Sequence, residues 1–263
     1  MKKFSLFILA CLMLSFLAGC SSKSDKFSEI QKKGKMVVYV DPNFAPFEFS
    51  GKGGIQGVDI EIARAIGKEL GVSVIFKEAK FDSILMAIKG GKGDISISGF
   101  TITEERKESV DFSIPYIKSV QYLILPKGSD VAFMEDLAGL KLGVAKDYTG
   151  QFLLEDETGK DGVLYEKNTE IREYNSCMEA VLDLKAGRIN AVVMDEYVAK
   201  NAVSKNEGLE AKELCYQSGD LAYEEYGVVI PKGNEKLVEK INAVIQKLIN
   251  EDKIREWVVK FSE

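Results

Sequence analysis

The sequence predicts an α/β fold of two similar lobes, with the chain crossing between them twice. Three observations predict it. From residue 35 onward, short β-branched runs alternate with helical patterns: "MVVYV", "DIEIARAIGKEL", "VSVIFK", "FDSILMAIKG", "DISIS". The segment "FDSILMAIKGGKGDISIS" (81–98) is echoed by "SCMEAVLDLKAGRINAVVMD" (176–195), each reading as helix, basic-glycine turn and strand. "KMVVYVD" pairs with "LKLGVAKD", and "YLILPKG" (122–128) with "YGVVIPKG" (226–233). The position of the last echo implies that residues 28–118 and 226–263 build lobe one and residues 119–225 build lobe two. Two crossings between the lobes form a hinge.

Taken in order, the chain opens with "MKK" and the apolar run "FSLFILACLMLSFLAGC". A charged start before an apolar stretch is the pattern of an export signal, here residues 1–19. Leu17-Ala18-Gly19-Cys20 resembles the lipobox of bacterial lipoproteins, which implies cleavage before Cys20 and diacylation of its thiol. A membrane-spanning anchor is the competing reading, but small residues and the Ser/Lys-rich stretch "SSKSDK" end the apolar run. Residues 20–27 then read as a tether. In the helix read from "DIEIARAIGKEL", Ile62, Ile66 and Leu70 share a face with Ala63, with Asp59 suited to the N-cap and Gly71 to the stop. At the far end Leu237, Ile241, Val244, Ile245 and Leu248 fall at helical spacing.

Composition excludes several functions. There are 35 basic and 41 acidic residues for a net charge of −6, with no basic block, so nucleic acid is not an expected partner. Histidine is absent, which removes His-based catalytic triads and His/Cys zinc sites. Beyond Cys11 and Cys20 only Cys177 and Cys215 remain, as a disulfide or as two separate thiols. No cofactor and no metal site is expected.

Ligands of open α/β sheets sit beyond the carboxyl ends of the strands, where helix N-termini offer free N–H groups. In two facing lobes that edge becomes a cleft. Its lining is expected from Asp41 to Phe47, Ser98 to Arg106, Lys146 to Gln151, and Asp195.

The segments "GVDIEIARAIGKELG", "FDSILMAIKGGKGDISISGFTITEERKESVDFSIPY", "GLKLGVAKDYTG", "AGRINAVVMD" and "YGVVIPKG" together resemble the family 3 extracellular solute-binding proteins of polar amino acid ABC importers. The resemblance covers nearly the whole chain after the signal and implies the type II periplasmic-binding fold. It also implies roles for single residues. Arg106 would grip a ligand's α-carboxylate, a planar guanidinium forking onto a carboxylate with two charge-assisted hydrogen bonds. Ser98, Gly99 and Thr101 would contact the same end, and Thr149 and Gly150 would complete that site from lobe two. Asp195 would receive the α-ammonium, although an aspartate there also suits the N-cap of the next helix. Phe44 and Phe81 match positions that sandwich the ligand's side chain, while Phe47 is expected in the core. Asp41 matches a contact to polar or cationic side-chain ends. Lys146, expected beside Asp195 or Asp41, would disfavour a cationic ligand. Tyr148 departs from the small residue expected in that loop.

The implied function is a non-catalytic, monomeric lipoprotein on the extracytoplasmic membrane face. It would hand a polar L-amino acid to an importer permease, with a glutamine-like ligand ahead of a basic one. The competing readings are a cyclohexadienyl dehydratase on the same scaffold, with Glu173, Glu48 or Asp41 as general acid, and a soluble amino-acid sensor.

Overall fold

The computed structural model describes residues 25–263. The export signal and the lipidation site Cys20 lie outside the described residues. Helix α1 (Lys26–Lys33) is capped by Asp25, whose carboxylate accepts from the Ser28 N–H, and it stops at Gly34 in the left-handed conformation. Lys26 and Phe27, expected in the tether, are thus already helical, and the Lys26 N–H donates to Asn234 Oδ1 at 3.0 Å.

The chain continues through β1 (Lys35–Val40), β2 (Asn43–Phe44), β3 (Glu48–Gly51), β4 (Gly54–Gln56), α2 (Val58–Glu69), β5 (Ser73–Glu78), α3 (Phe81–Lys89), β6 (Ile95–Ser96), α4 (Glu104–Ser109) and β7 (Val110–Phe112). Strand β8 (Ile117–Pro126) leads into β9 (Lys141–Ala145), α5 (Thr149–Thr158), β10 (Glu170–Tyr174), α6 (Cys177–Lys185), β11 (Ala191–Asp195), α7 (Glu196–Ser204) and β12 (Leu209–Glu213). Strand β13 (Tyr223–Tyr226) brings the chain back to β14 (Val229–Pro231), α8 (Glu235–Asn250) and α9 (Lys253–Ser262).

These strands form two sheets of matching plan. One runs β5-β1-β6-β14-β7 and the other β10-β9-β11-β8-β12. In each, the first three strands are parallel and the next two antiparallel to their neighbours. The echoed segments therefore occupy equivalent places: β1 with β9, β6 with β11, and β14 with the far half of β8. Parallel β1 and β5 are linked by α2, which covers the sheet because its apolar face recurs every third or fourth residue. Helix α8 likewise buries Leu237, Ile241, Val244, Ile245 and Leu248, the face its spacing predicts.

The two crossings lie side by side. Strand β13 pairs antiparallel with the first half of β8, matching Ile117 to Tyr226 and Ser119 to Glu224. Bonds from the Tyr116 N–H to the Tyr226 carbonyl, and from the Ile102 N–H to the Glu225 carbonyl, tie this ribbon to lobe one. A hydrogen-bonded two-strand ribbon permits bending between lobes while keeping their register. Among the described residues no helix is long and apolar enough to cross a membrane. Cys177 is buried, Cys215 is partly exposed, and the two are not bonded to each other.

One cap differs from expectation. Gly57, not Asp59, precedes α2, and Asp59 lies fully buried in its first turn. At Gly57 φ is +134°, and a Cβ there would run into the carbonyl of Phe47. Only glycine fits, which releases the Asp59 carboxylate for work in the site. Gly57→Ala is expected to lose about 2 kcal/mol or more of stability, read as a lower urea midpoint. An unchanged midpoint would show that the β3–α2 junction relaxes at no cost.

Candidate functional site

Strand ends and helix starts converge between the two sheets. From lobe one come Asp41 after β1, Phe44 on β2, Phe81 opening α3, and Ser98, Gly99 and Thr101 after β6. Lobe two supplies Asp147 and Tyr148 after β9, Thr149 and Gly150 opening α5, and Asp195 ending β11.

Arg106 lies at the centre. Thr103 caps α4 by accepting from the Arg106 N–H, so the guanidinium turns inward rather than into solvent, and the residue is only 7% exposed. Its Nη1 donates to the Thr101 carbonyl at 2.9 Å, and its Nη2 donates to the Asp147 carbonyl of lobe two at 2.8 Å. The rings of Phe81 and Phe100 lie 5.6 and 5.5 Å from its central carbon. Burial lowers its pKa, and the negative charges of Glu224 and Asp195 act against that. Two of the five guanidinium donors are spent; the others remain for an anion.

Opposite stands an excess of acceptors. Asp195 occupies the N-cap position of α7 yet makes no capping bond with its side chain; its carboxylate turns into the cleft instead, where Gln121 Nε2 lies 3.5 Å from Oδ1. Burial and the neighbouring Glu224 raise its pKa to about 8. Glu224, on the hinge strand β13, accepts from Gln121 Nε2 at 2.9 Å through Oε1, while its Oε2 is buried with no partner. Gln121 Oε1 is also buried and unpartnered, while the buried Tyr226 hydroxyl, a donor, faces the Asp195 carboxylate. Buried acceptors left bare are costly, and their grouping beside Asp195 marks a place where donors belong. Glu224 and Gln121 were missed in the sequence because neither sits at a strand end of the repeated pattern. Only the pairing of β13 with β8 brings them there.

Ser98 and Gly99 serve the frame. The Ser98 hydroxyl donates to Glu48 Oε1 at 2.6 Å and accepts from the Asp41 N–H at 2.9 Å, and the Gly99 N–H donates to Asp59 Oδ2 at 2.8 Å. Gly99 has φ +56°, and a Cβ there would collide with the Phe44 ring. Glu48 and Asp59 are both completely buried, and each keeps one oxygen without a donor. Burial pushes both upward, Glu48 well above the usual range and Asp59 to about 6, so the pair shares a proton near neutral pH. Asp41 is also committed internally, accepting from Asn43 Nδ2 at 2.6 Å and from the Phe81 N–H at 3.0 Å.

Thr101 and Thr149 face each other across the lobes with their hydroxyl oxygens 3.5 Å apart. Gly150 is buried where a Cβ would lie 3.0 Å from Gln121 Oε1 and 3.2 Å from Val193 Cγ1. Phe44 and Phe81 are buried and face the cleft, and Phe47 is in the core. Lys146 is a correction: it pairs with neither Asp195 nor Asp41. Its side chain is half exposed and meets Asp82 at 3.5 Å. Asp147, in the left-handed region with φ +63°, turns the loop so that Lys146 faces outward and Tyr148 inward. Among the acids weighed for catalysis, Glu173 is exposed on β10, while Glu48 and Asp41 are held by the bonds above.

Residues 36–263 match the model of the bacterial extracellular solute-binding proteins, family 3. The chain is 32% identical over 252 residues to the "Probable histidine-binding protein" of Neisseria gonorrhoeae, covering 94% of this chain and 91% of that protein. It is similar in structure to an amino acid ABC transporter substrate-binding protein of Streptococcus pneumoniae bound to L-arginine. That TM-score is 0.82, with 31% identity over 91% of this chain and 98% of the other. An ancestral arginine-binding protein bound to glutamine superposes with a TM-score of 0.76 at 35% identity, covering 87% and 97% of the two chains.

The buried acids set the sign of a pH effect on stability. Asp59 and Asp195 have folded pKa values above their unfolded values, so their contribution is complete below the ordinary carboxylate range. It is lost as pH climbs toward about 6 and about 8 respectively. The ligand-free protein is expected to melt at progressively lower temperature between pH 5 and 9. Glu48→Gln, which can donate to Asp59 without a titrating proton, should flatten the acidic part of that slope. A melting temperature that rises with pH would contradict the proton-sharing pair.

Proposed function

The chain belongs to the bacterial extracellular solute-binding proteins, family 3, and on that footing we propose that it captures a polar or basic L-amino acid between its lobes. One observation carries the reading: a buried guanidinium with donors to spare faces a cluster of buried acceptors without donors. A zwitterion supplies both missing halves. Its carboxylate takes the free N–H groups of Arg106, with Thr101, Thr149 and Gly150 around it. Its ammonium takes Asp195, Glu224 Oε2 and Gln121 Oε1. Because those groups come from both lobes, binding holds the lobes together.

Charge informs the ligand class. With Lys146 paired to Asp82, no lysine opposes a cationic side chain in the cleft, and Asp195 and Glu224 outnumber Arg106 there. On charge alone, then, a basic amino acid is not excluded from the class, whatever its side-chain length adds. The relative named for histidine and the similar structure bound to L-arginine fit that class. Delivery to an importer permease at the membrane, with a lipid on Cys20 and the residues before α1 as the tether, completes the proposal. Its division into lobe one (28–118 and 226–263) and lobe two (119–225) follows the two sheets, with β8 and β13 as the crossings.

Arg106→Ala is expected to weaken amino-acid binding by roughly 2–5 kcal/mol, since the ligand carboxylate would be buried without its partner. Calorimetric titration measures it, and binding as tight as the parent's would remove the assigned carboxylate site. Ligand ammonium at Asp195 should also expel its proton. Affinity is then expected to rise with pH to about 8 and to level off above it. Titration in two buffers of different ionisation enthalpy would register the released proton. Identical heats in both buffers would place the ammonium elsewhere.

A further inference from the structure

The aromatic slot of the cleft holds a ring from the chain itself. Tyr148, on the loop between β9 and α5, reaches across from lobe two. Its ring centroid lies 4.1 Å from Phe81 and 5.5 Å from Phe44. Phe81 in turn stacks on Phe100 at 4.3 Å, and Phe44 packs on Phe47 at 5.8 Å, so the slot's walls are themselves fixed. Tyr148 is 9% exposed. The same left-handed turn at Asp147 that sends Lys146 outward directs this ring inward, and the carbonyl of Asp147 takes one Arg106 donor. The polar floor differs from the slot: Arg106 keeps unspent donors, and Glu224 Oε2 and Gln121 Oε1 have no donor. The floor thus keeps hydrogen-bonding capacity while a ring of the chain itself occupies the slot beside it.

We propose that Tyr148 is a specificity-determining residue that disfavours ligands according to the length of their side chains. The inference rests on the amino-acid reading above. An amino acid with a short side chain binds the floor with Tyr148 in place. A long side chain, such as that of arginine or lysine, must expel the ring from between Phe81 and Phe44. Expulsion breaks two aromatic contacts and exposes apolar surface, and that free energy is subtracted from the ligand's affinity. Tyr148 therefore narrows selectivity by competing for space. A wall against which a long side chain stacks would do the opposite and strengthen its binding.

The test is titration of the parent, Tyr148→Ala and Tyr148→Phe with the twenty L-amino acids. Tyr148→Ala is expected to tighten arginine and lysine by about tenfold or more relative to alanine and serine. Tyr148→Phe, which keeps the ring, should retain the parent's order of preference. Should Tyr148→Ala fail to fold by circular dichroism, Tyr148→Val, whose short side chain leaves most of the slot clear, is read by the same criterion. A uniform change across ligands, or weaker arginine binding in Tyr148→Ala, overturns the inference and leaves the amino-acid reading intact. Absence of binding by every amino acid to the parent and the variants overturns both.

Discussion

One buried cation organises the space between the lobes. Among the described residues Arg106 is the only basic side chain in the buried class, against buried Asp41, Glu48, Asp59, Asp94, Asp195 and Glu224. Removing a guanidinium from water is costly unless its donors and charge are met. Here the compensation comes from two carbonyls, one in each lobe, and from carboxylates across the cleft. Because neither lobe alone supplies all of these partners, the arginine links the lobes as well as forming the cleft.

The framework that aims Arg106 is itself polar and buried. Ser98 joins Asp41 to Glu48, and Asp59 holds both the Gly99 N–H and the Tyr116 hydroxyl, the latter at 3.0 Å. These bonds fasten the loop after β6 to the start of α2, to the small β2–β3–β4 sheet and to the entrance of the hinge. With a proton shared between Glu48 and Asp59, such a network specifies one arrangement of a loop where apolar packing would tolerate several. Two carboxyl groups in one enclosure must share a proton, and that requirement ties the loop's geometry to pH.

The opposite side of the cleft is under-satisfied. Bare acceptors on Glu224 and Gln121 sit where the two crossing strands β8 and β13 pair, so a donor arriving there touches the ribbon that joins the lobes. On the proposed reading, recognition and the joining of the lobes involve the same few atoms, and contacts that differ between two states are what let a ligand shift an equilibrium.

Much of this was legible in the sequence. Alternating β-branched runs and helical spacing determine α/β elements, because each pattern buries an apolar face with its own period. The internal echoes determine two equivalent sheets, and the family motif "SGFTITEER" carries Ser98, Gly99, Thr101 and Arg106 in one local stretch, where Thr103 caps the helix that turns Arg106 inward. Tertiary structure decided what distant segments do to one another. Asp59 left its expected capping role because Gly57 alone fits against the Phe47 carbonyl, and Glu224 joined Asp195 only through strand pairing across the hinge. Of the loop residues expected in the lining, Lys146 faces outward and Tyr148 inward, with the left-handed residue Asp147 between them. A backbone dihedral and a pairing between strands roughly a hundred residues apart in sequence leave no periodic mark in sequence, and those decided which side chains line the cleft.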